Sequence, residues 1–524
     1  AGVRSARSYE ADEPRSISYA APRARWTAMS SAPPYGSLAA AAAALKSRAV
    51  SPVELTQFYL DRITEFQPRF HAFITVTAER ALADARAAER AIAAGDWRGP
   101  LHGIPIGLKD VIETKGIRTT AHSRALADYV PQSDAAVAQC LADAGAVLLG
   151  KLATHEFAVG GPSWDLPWPP ARNPWNAEHF TGGSSSGAAA AVAAGLTLGA
   201  IGSDTSGSVR SPAAFCGITG FKPTFNTIDP RGVLPVAPSM DTVGVLAWTV
   251  EDCRLLYDAL RAPTPDAELL RPNAFVSGPG IKGMRIKVIR HFYTDDAPIS
   301  SENQRAIEQA LDVFRGLGCT VMEGRLPPLQ EWMACGLVIL LTEAYARHGM
   351  QIKARPDLYG AAFRSVVSLG SALAAADKRA AERKRGELCA DMRALMDDCD
   401  LLVSAVQVGT APKLKDASPW AAFSRPSQAM PFSVTGQPAI SICCGYGDNG
   451  LPLGFQLVAA PSHDRQLLLA GLAYEEATGW HKRRPACWQS TPGKSSGQAP
   501  SRLRGFRVDG MNGLHDRMYT EKFP

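Results

Sequence analysis

The sequence of 524 residues predicts an α/β fold: a single large domain whose twisted, mixed and largely parallel β-sheet is covered by helices on both faces. Short apolar runs bounded by glycine alternate along the chain with segments of helical periodicity. Strands that alternate with helices are typical of a parallel sheet covered on both faces. Hydrophobic residues make up 46% of the chain and charged residues 20%, which is ordinary for a globular protein with a large core.

The helices are predicted from their start signals and periodicity. Ser51 and Glu54 form a capping box around Pro52, a proline at the first helical position. The apolar residues that follow recur at helical spacing: Leu55, Tyr59, Ile63 and Phe66. Further helices are predicted over residues 77–94, 134–144 and 302–315.

The strands are predicted from short apolar runs with glycine at their ends. These runs cover residues 103–112, 145–152, 284–290, 319–324, 438–446 and 454–460. Residues 1–34 lack the apolar core of a secretory signal and are predicted to be a disordered extension. After Pro485 the composition becomes polar and basic, so residues 486–524 are predicted to be a loose tail.

Charge and cysteine content argue against several classes of protein. The net charge of +5 comes from the basic ends of the chain, so no basic face for nucleic acid is indicated. The ten cysteines lie scattered without metal-ligand spacing, which indicates reduced thiols in a cytoplasmic protein with no metal site. His155 and His179 have no second ligand at i+4 and are predicted to be structural. No cofactor is predicted, and no apolar run is long enough to span a membrane.

A segment rich in Gly, Ser and Ala, residues 181–212, is the main candidate for chemistry. Its GSSSG, residues 183–187, matches the GxSxG nucleophile elbow of α/β-hydrolases, with Ser185 as the nucleophile. That elbow follows an apolar strand, whereas the preceding ARNPWNAEHFTG is typical of a loop. A second near match, the phosphate-binding pattern in GAVLLGKL, has Leu152 where a hydroxyl is needed for magnesium.

A lysine offers another way to activate a serine. A serine hydroxyl is a weak nucleophile and needs a base, and a buried lysine can be that base because burial favours its neutral form. Lys109 ends the apolar run GIPIGLK, where a charge is costly. The alternative is that Lys109 pairs with Asp110 at the surface, and the pattern alone leaves both open.

Three motifs together resemble the amidase signature family of Ser–Ser–Lys hydrolases. They are GLKD, GGSSSGAAAAVAAG and GSDTSGSVRSPAAFCGITGFKPT. The spacing also agrees with the family, because Lys109 precedes Ser184 by 75 positions and Ser184 precedes Ser208 by 24. The resemblance extends from Tyr35 to Pro485, which implies one catalytic domain over residues 35–485 with the amidase signature fold.

The resemblance assigns roles to individual residues. It implies that Ser208 is the nucleophile, that Ser184 is a bridging serine after a cis peptide bond, and that Lys109 is the base. It places the oxyanion hole at the backbone N–H groups of Thr205, Ser206, Gly207 and Ser208. It also implies that Gly160 and Gly161 contact the substrate, and that Asp204 and Arg210 hold the loop in place.

Two positions depart from the family pattern. The family usually has GGSSGG, and Ser186 stands here at the fifth position. It also usually has a glycine pair before the nucleophile, and here Ser206 and Gly207 occupy those positions. A side chain at residue 206 narrows the freedom of the loop but leaves its N–H available.

The resemblance implies an amidohydrolase of the EC 3.5.1 type that hydrolyses linear amides to an acid and ammonia or an amine. Trp164 and Trp168 suggest an apolar wall, which favours aryl or arylalkyl amides of the indoleacetamide type. The alternative is that these tryptophans pack internally, and anilides, carbamates and aliphatic amides stay open as substrates. One alternative is the glutamine-hydrolysing component of a tRNA-dependent amidotransferase, although TEAYARHGMQIKARPDLYG lacks that component's RYDGVRYG-like string. A catalytically silent binding protein on the same fold is another. The expected partner is a small-molecule amide, and a homodimer is left open.

Overall fold

The computed structural model describes residues 33–261, 280–418, 420 and 425–488. Residues 1–32 of the predicted extension and residues 489–524 of the predicted tail lie outside these described residues. Within the described part, no helix is long and apolar enough to cross a membrane.

One eleven-stranded sheet runs through the described part of the chain. Its strands are β1 (Phe73–Val76), β2 (Pro105–Lys109), β3 (Val147–Leu152), β4 (Gly199–Asp204), β5 (Thr219–Lys222), β6 (Thr242–Ala247), β7 (Arg285–Val288), β8 (Thr320–Glu323), β9 (Leu401–Ala405), β10 (Ala439–Tyr446) and β11 (Pro452–Val458). Their order across the sheet is β1-β3-β2-β4-β6-β5-β10-β11-β9-β7-β8. All six predicted strands are present.

The sheet confirms the α/β class and its mixed character, and it divides by strand direction. The pairs β3–β2, β2–β4, β9–β7 and β7–β8 are parallel and lie towards the two flanks. The strands from β4 to β9 between them pair antiparallel. The centre is therefore more antiparallel than the alternation of strands and helices predicts. The reason is local: β5 and β6, and likewise β10 and β11, follow each other without a crossover helix.

Helices surround the sheet and confirm the helical predictions. They are α1 (Leu38–Lys46), α2 (Pro52–Phe70), α3 (Ala78–Ala93), α4 (Ala136–Asp143), α5 (Ser186–Ala193), α6 (Arg210–Cys216), α7 (Val250–Leu260), α8 (Ser301–Gly316), α9 (Leu329–Ala354), α10 (Ala361–Ser368), α11 (Ala375–Met396), α12 (Met430–Val434) and α13 (Asp464–Thr478). The predicted capping box at Ser51 is formed in both directions.

Close packing explains why the segment around α5 contains so much glycine and alanine. Every residue of α5 is buried. A Cβ on Gly187 would lie 2.3 Å from the backbone oxygen of Ala72, and a Cβ on Gly202 would lie 2.7 Å from Ser185 Oγ. Larger side chains therefore have no room at these two positions. The segment is a packed element of the core.

Contacts at the C-terminal end of α5 show that the domain extends beyond its predicted boundary at residue 485. Residues 486–488, which the sequence assigns to the tail, form a short 3-10 turn, and Trp488 is only 8% exposed. The indole nitrogen of Trp488 donates to the backbone oxygen of Ala193 at 2.7 Å, and Arg62 donates to that of Ala194. These bonds satisfy carbonyl groups at the C-terminus of α5, so the packed domain extends at least to Trp488.

Candidate active site

Lys109 lies at the end of β2 and is completely buried. Its Nζ is 2.7 Å from Ser184 Oγ and 2.9 Å from Ser203 Oγ on the neighbouring strand β4. Asp110 is not its partner, because that carboxylate lies 3.3 Å from the Nζ of buried Lys151. The surface pair between Lys109 and Asp110 is therefore wrong. Lys151, the lysine of the near match to the phosphate-binding pattern in GAVLLGKL, therefore has a structural role.

Burial determines the charge of Lys109. Removal from water disfavours the ammonium form and lowers the pKa of Lys109 to about 7, although the nearby carboxylates of Asp204 and Asp241 act in the opposite direction. A lysine with this pKa is more than half neutral above about pH 7. Its nitrogen can then accept a proton from the hydroxyl of Ser184.

The loop that carries Ser184 is joined to its surroundings by backbone bonds. The Gly183–Ser184 peptide bond is cis, as the resemblance implies. The backbone oxygen of Ser184 accepts the N–H of His155 at 3.2 Å and that of Ser186 at 2.8 Å. The imidazole of His155 fills the space beside Gly183, where a Cβ would lie 2.1 Å from the ring. Glycine is therefore required at position 183.

Ser208 lies between β4 and α6 and is half-buried. Its backbone oxygen accepts the N–H of Ser185 at 3.1 Å, so the segments around Ser184 and Ser208 are directly bonded. Ser185 itself is completely buried, and its hydroxyl donates to the backbone oxygen of Ser203 at 3.2 Å. The α/β-hydrolase interpretation therefore loses support, because Ser185 is closed to a substrate.

The loop from Asp204 to Ser208 contains the residues predicted for the oxyanion hole. The N–H of Gly207 donates to Asp204 Oδ1 at 2.7 Å, so this donor is directed into the protein. We therefore remove Gly207 from the proposed set of donors and keep Thr205, Ser206 and Ser208. Gly207 is required for another reason: its φ is 118°, and a Cβ would lie 2.8 Å from the Cβ of Ala429.

The two departures from the family pattern have a structural explanation. Neither Ser206 nor Ser186 has a positive φ. Ser186 begins α5 and has a helical backbone. Neither position needs the conformational freedom of glycine, so serine is tolerated at both.

An ion pair holds the oxyanion loop from within the core. Arg210 and Asp204 lie 2.9 Å apart, and both are fully buried. The guanidinium of Arg210 also donates to Gln456 Oε1, Ser433 Oγ and the backbone oxygen of Ala429. Burial raises the pKa of Asp204, but Arg210 outweighs this and holds the pKa well below its usual range. Asp204 is therefore a permanent carboxylate that fixes the loop.

We expect Arg210→Met to lower the free energy of unfolding by about 3–5 kcal/mol, because it leaves the buried carboxylate of Asp204 without its cation. Urea unfolding at pH 7 measures this. Arg231→Met is the matched control, since Arg231 pairs with Asp229 on the surface and is 84% exposed. The control should leave the unfolding midpoint unchanged. An equally small effect of Arg210→Met would contradict the role given to the buried pair.

The sequence analysis gives no role to two residues near the site, although one of them, Ser203, lies within the third motif. Ser203 contacts Lys109, and Asp241 Oδ1 accepts the hydroxyl of Thr205 at 2.6 Å. Asp241 also accepts the N–H of Val236. It comes directly before β6, whose first residue pairs with the last residue of β4. Only this strand pairing, which no local motif shows, brings Asp241 to the site.

The loop of residues 155–170 lies beside the serine loop. Gly161 is buried and lines a small cavity together with His155 and Ser186, whereas Gly160 is exposed. The contact of either glycine with a substrate stays a prediction. Trp164 is 59% exposed and so does not form the predicted apolar wall, whereas Trp168 packs edge-on against a histidine ring. Within the described residues, no cluster of His, Cys, Asp and Glu could hold a metal ion.

Comparison with known proteins identifies the family of the chain. The sequence matches the family profile described as Amidase over residues 54–468. It is 35% identical to the A subunit of the glutamyl-tRNA(Gln) amidotransferase of Thermosynechococcus vestitus, over 83% of this chain and 96% of that protein.

Solved structures show the same fold. A crystal structure of an amidase superposes with a TM-score of 0.76 at 30% identity, over 84% of this chain and 99% of that one. The substrate complex of 6-aminohexanoate cyclic dimer hydrolase gives 0.75 at 26% identity, over 86% and 99%. The profile match covers most of the chain. The protein therefore belongs to the amidase family, the amidase signature hydrolases that its motifs resemble.

Proposed function

We propose that the protein hydrolyses the C–N bond of carboxylic amides through an acyl-enzyme on Ser208. The observation that carries this proposal is the contact between buried Lys109 and Ser184, whose loop is bonded to that of Ser208. A neutral amine in contact with one serine, beside a second and more accessible serine, is an arrangement suited to nucleophilic catalysis.

The proposed reaction moves one proton along this row of side chains. Neutral Lys109 takes the hydroxyl proton of Ser184, and Ser184 takes that of Ser208 as the Ser208 oxygen bonds to the amide carbon. The N–H groups of Thr205, Ser206 and Ser208 stabilise the negative charge that develops on the carbonyl oxygen. The proton returns through Ser184 to the leaving nitrogen, and the C–N bond breaks. Water then repeats the sequence on the ester and releases the acid.

For the substrate we propose a neutral amide of an aryl or arylalkyl acid. The fully buried guanidinium of Arg210 already donates to protein acceptors and offers nothing to a substrate carboxylate. A substrate without a carboxylate is consistent with this. Trp164 is exposed, so this tryptophan does not contribute to a preference for aromatic acids.

A second candidate function is hydrolysis of glutamine as the A subunit of a tRNA-dependent amidotransferase. The curated relatives that carry this name are 35–36% identical over more than four fifths of the chain. This alternative requires a partner protein that receives the ammonia. It also requires residues that recognise the α-ammonium and α-carboxylate groups of glutamine.

We expect the purified chain to hydrolyse at least one aryl or arylalkyl amide faster than glutamine in a panel that also contains anilides and aliphatic amides. Ammonia or amine release is the measurement. The preferred amide, its anilide and its methyl ester are then hydrolysed in hydroxylamine. A shared acyl-enzyme should give the same ratio of hydroxamate to acid from all three. Preference for glutamine, or activity only with an added partner, would favour the amidotransferase; a folded protein silent on every amide would favour a binding protein.

A further inference from the structure

Four residues that line one small cavity beside the serine loop each carry a buried polar atom without a hydrogen-bond partner. These atoms are Nδ1 of His122, Oγ1 of Thr154, Nε2 of His155 and Oγ of Ser163. We call the space between these four residues the histidine cavity. Each of the four side chains is at least nine-tenths buried. Buried polar groups in folded proteins are almost always hydrogen-bonded, so four such groups around one cavity favour a polar occupant there.

The size of the cavity limits that occupant. Its free space is about 10 Å³, which is close to the minimum for one water-sized group. A ring or a carboxylate does not fit there. A single hydroxyl group does, and so does a single water molecule.

The charge of the lining limits the occupant further. Burial lowers the pKa of His122 and lowers that of His155 to about 3, so both imidazoles are neutral. Nε2 of neutral His122 donates to the backbone oxygen of Trp168, so its free Nδ1 accepts, whereas Nε2 of His155 and the two hydroxyls can donate or accept. Glu156 also lines the cavity, but its oxygens accept from Ser123 and from the N–H of Gly360. The cavity is therefore suited to a neutral group that both donates and accepts.

The position of the cavity connects it with the proposed reaction. His155 forms one wall, donates its N–H to the backbone oxygen of Ser184, and lies against Gly183. Gly161, which the sequence predicts to contact the substrate, lies on the same cavity. The histidine cavity therefore borders both the serine loop and the predicted substrate-contacting loop.

We propose that the histidine cavity is a subsite for a hydroxyl group of the substrate, so that the preferred substrates are amides that carry a hydroxyl. This inference rests on the proposed amidase function and specifies its substrate class. A hydroxyl in the cavity displaces one water and pairs the groups that are otherwise unsatisfied. A methyl group of the same size leaves them unpaired, and a site built for hydrogen bonding discriminates strongly against such an analogue.

The test uses phenylacetamide with a hydroxyl or a methyl group at its 2, 3 or 4 position. In the wild type, we expect one hydroxy isomer to exceed its methyl counterpart in kcat/KM by at least about tenfold. Thr154→Val should reduce that ratio to within about threefold, and Thr154→Ser, which keeps the hydroxyl, should preserve it. Ser441→Ala is the matched control, because Ser441 is also buried and unpartnered but lies in β10 outside the cavity. It should leave the ratio unchanged.

The outcomes separate this inference from the proposed function. Hydrolysis of the whole series without any hydroxyl preference, with a water retained in the cavity of a substrate-bound crystal, would overturn the subsite and leave the amidase intact. If no amide is hydrolysed, the proposed function fails. The subsite is then decided by calorimetric binding of the same compounds to Ser208→Ala: tighter binding of one hydroxy isomer supports it, and equal affinities overturn it.

Discussion

We expect Ser208→Ala to lose turnover of every amide that the wild type hydrolyses, by on the order of 10⁶-fold, the size of loss seen when a serine protease loses its nucleophile. Without the Ser208 oxygen no acyl-enzyme can form, and the remaining groups offer only binding and oxyanion stabilisation. The fold should be unaffected, since Ser208 is half-buried and its backbone oxygen carries the bond to Ser185. Ammonia release on the preferred amide measures the loss, with unfolding midpoints as the check on folding.

Ser185→Ala is the matched control for this experiment. Ser185 lies in the same pair of loops, and it is the nucleophile of the competing α/β-hydrolase interpretation. Its hydroxyl donates to Ser203 and is closed to a substrate, so its loss should change stability more than turnover. A Ser208→Ala variant that retains activity, together with an inactive Ser185→Ala, would reverse the assignment.

The predictable parts of this protein are those that local sequence determines. The capping box at Ser51 and the apolar run that ends at Lys109 are both found where the pattern places them. Strand β4 is not predicted, because its sequence, GAIGSD, contains little of the β-branched residues typical of strands. A Cβ on Gly199 would lie 2.8 Å from Leu256 of α7, and a Cβ on Gly202 would lie 2.7 Å from Ser185 Oγ. Close packing against distant segments of this kind cannot be read from one segment alone.

The residues of the site also divide into those that local motifs predict and those that only the fold brings together. The spacing of Lys109, Ser184 and Ser208 is visible in the sequence, because each belongs to a motif. The direction of the Gly207 N–H towards the carboxylate at the end of β4 is not visible, since it depends on how the loop turns after that strand. Asp241 is likewise hidden, because a pairing between distant strands brings it to the loop.

We expect Lys109→Met to lower kcat/KM by about 10²–10⁴-fold, the range of a general base. The wild type should also show a dependence on pH that the variant lacks. Lys109 can accept a proton only when it is neutral, and its pKa is lowered to about 7. Wild-type kcat/KM should therefore rise as pH increases through about 7 and become constant above it. The residual activity of Lys109→Met should not show this rise.

Lys222→Met is the control that separates the effect of the position of the lysine from the effect of its burial. Lys222 is also fully buried, and burial likewise lowers its pKa to about 7. However, its Nζ donates to the backbone oxygens of Pro223 and Gln437. The Lys222→Met variant should therefore keep the rise in kcat/KM and lose only stability. Contact with Ser184 is the feature that distinguishes Lys109 from Lys222. If the rise in kcat/KM disappears in Lys222→Met and persists in Lys109→Met, the pH dependence does not come from Lys109.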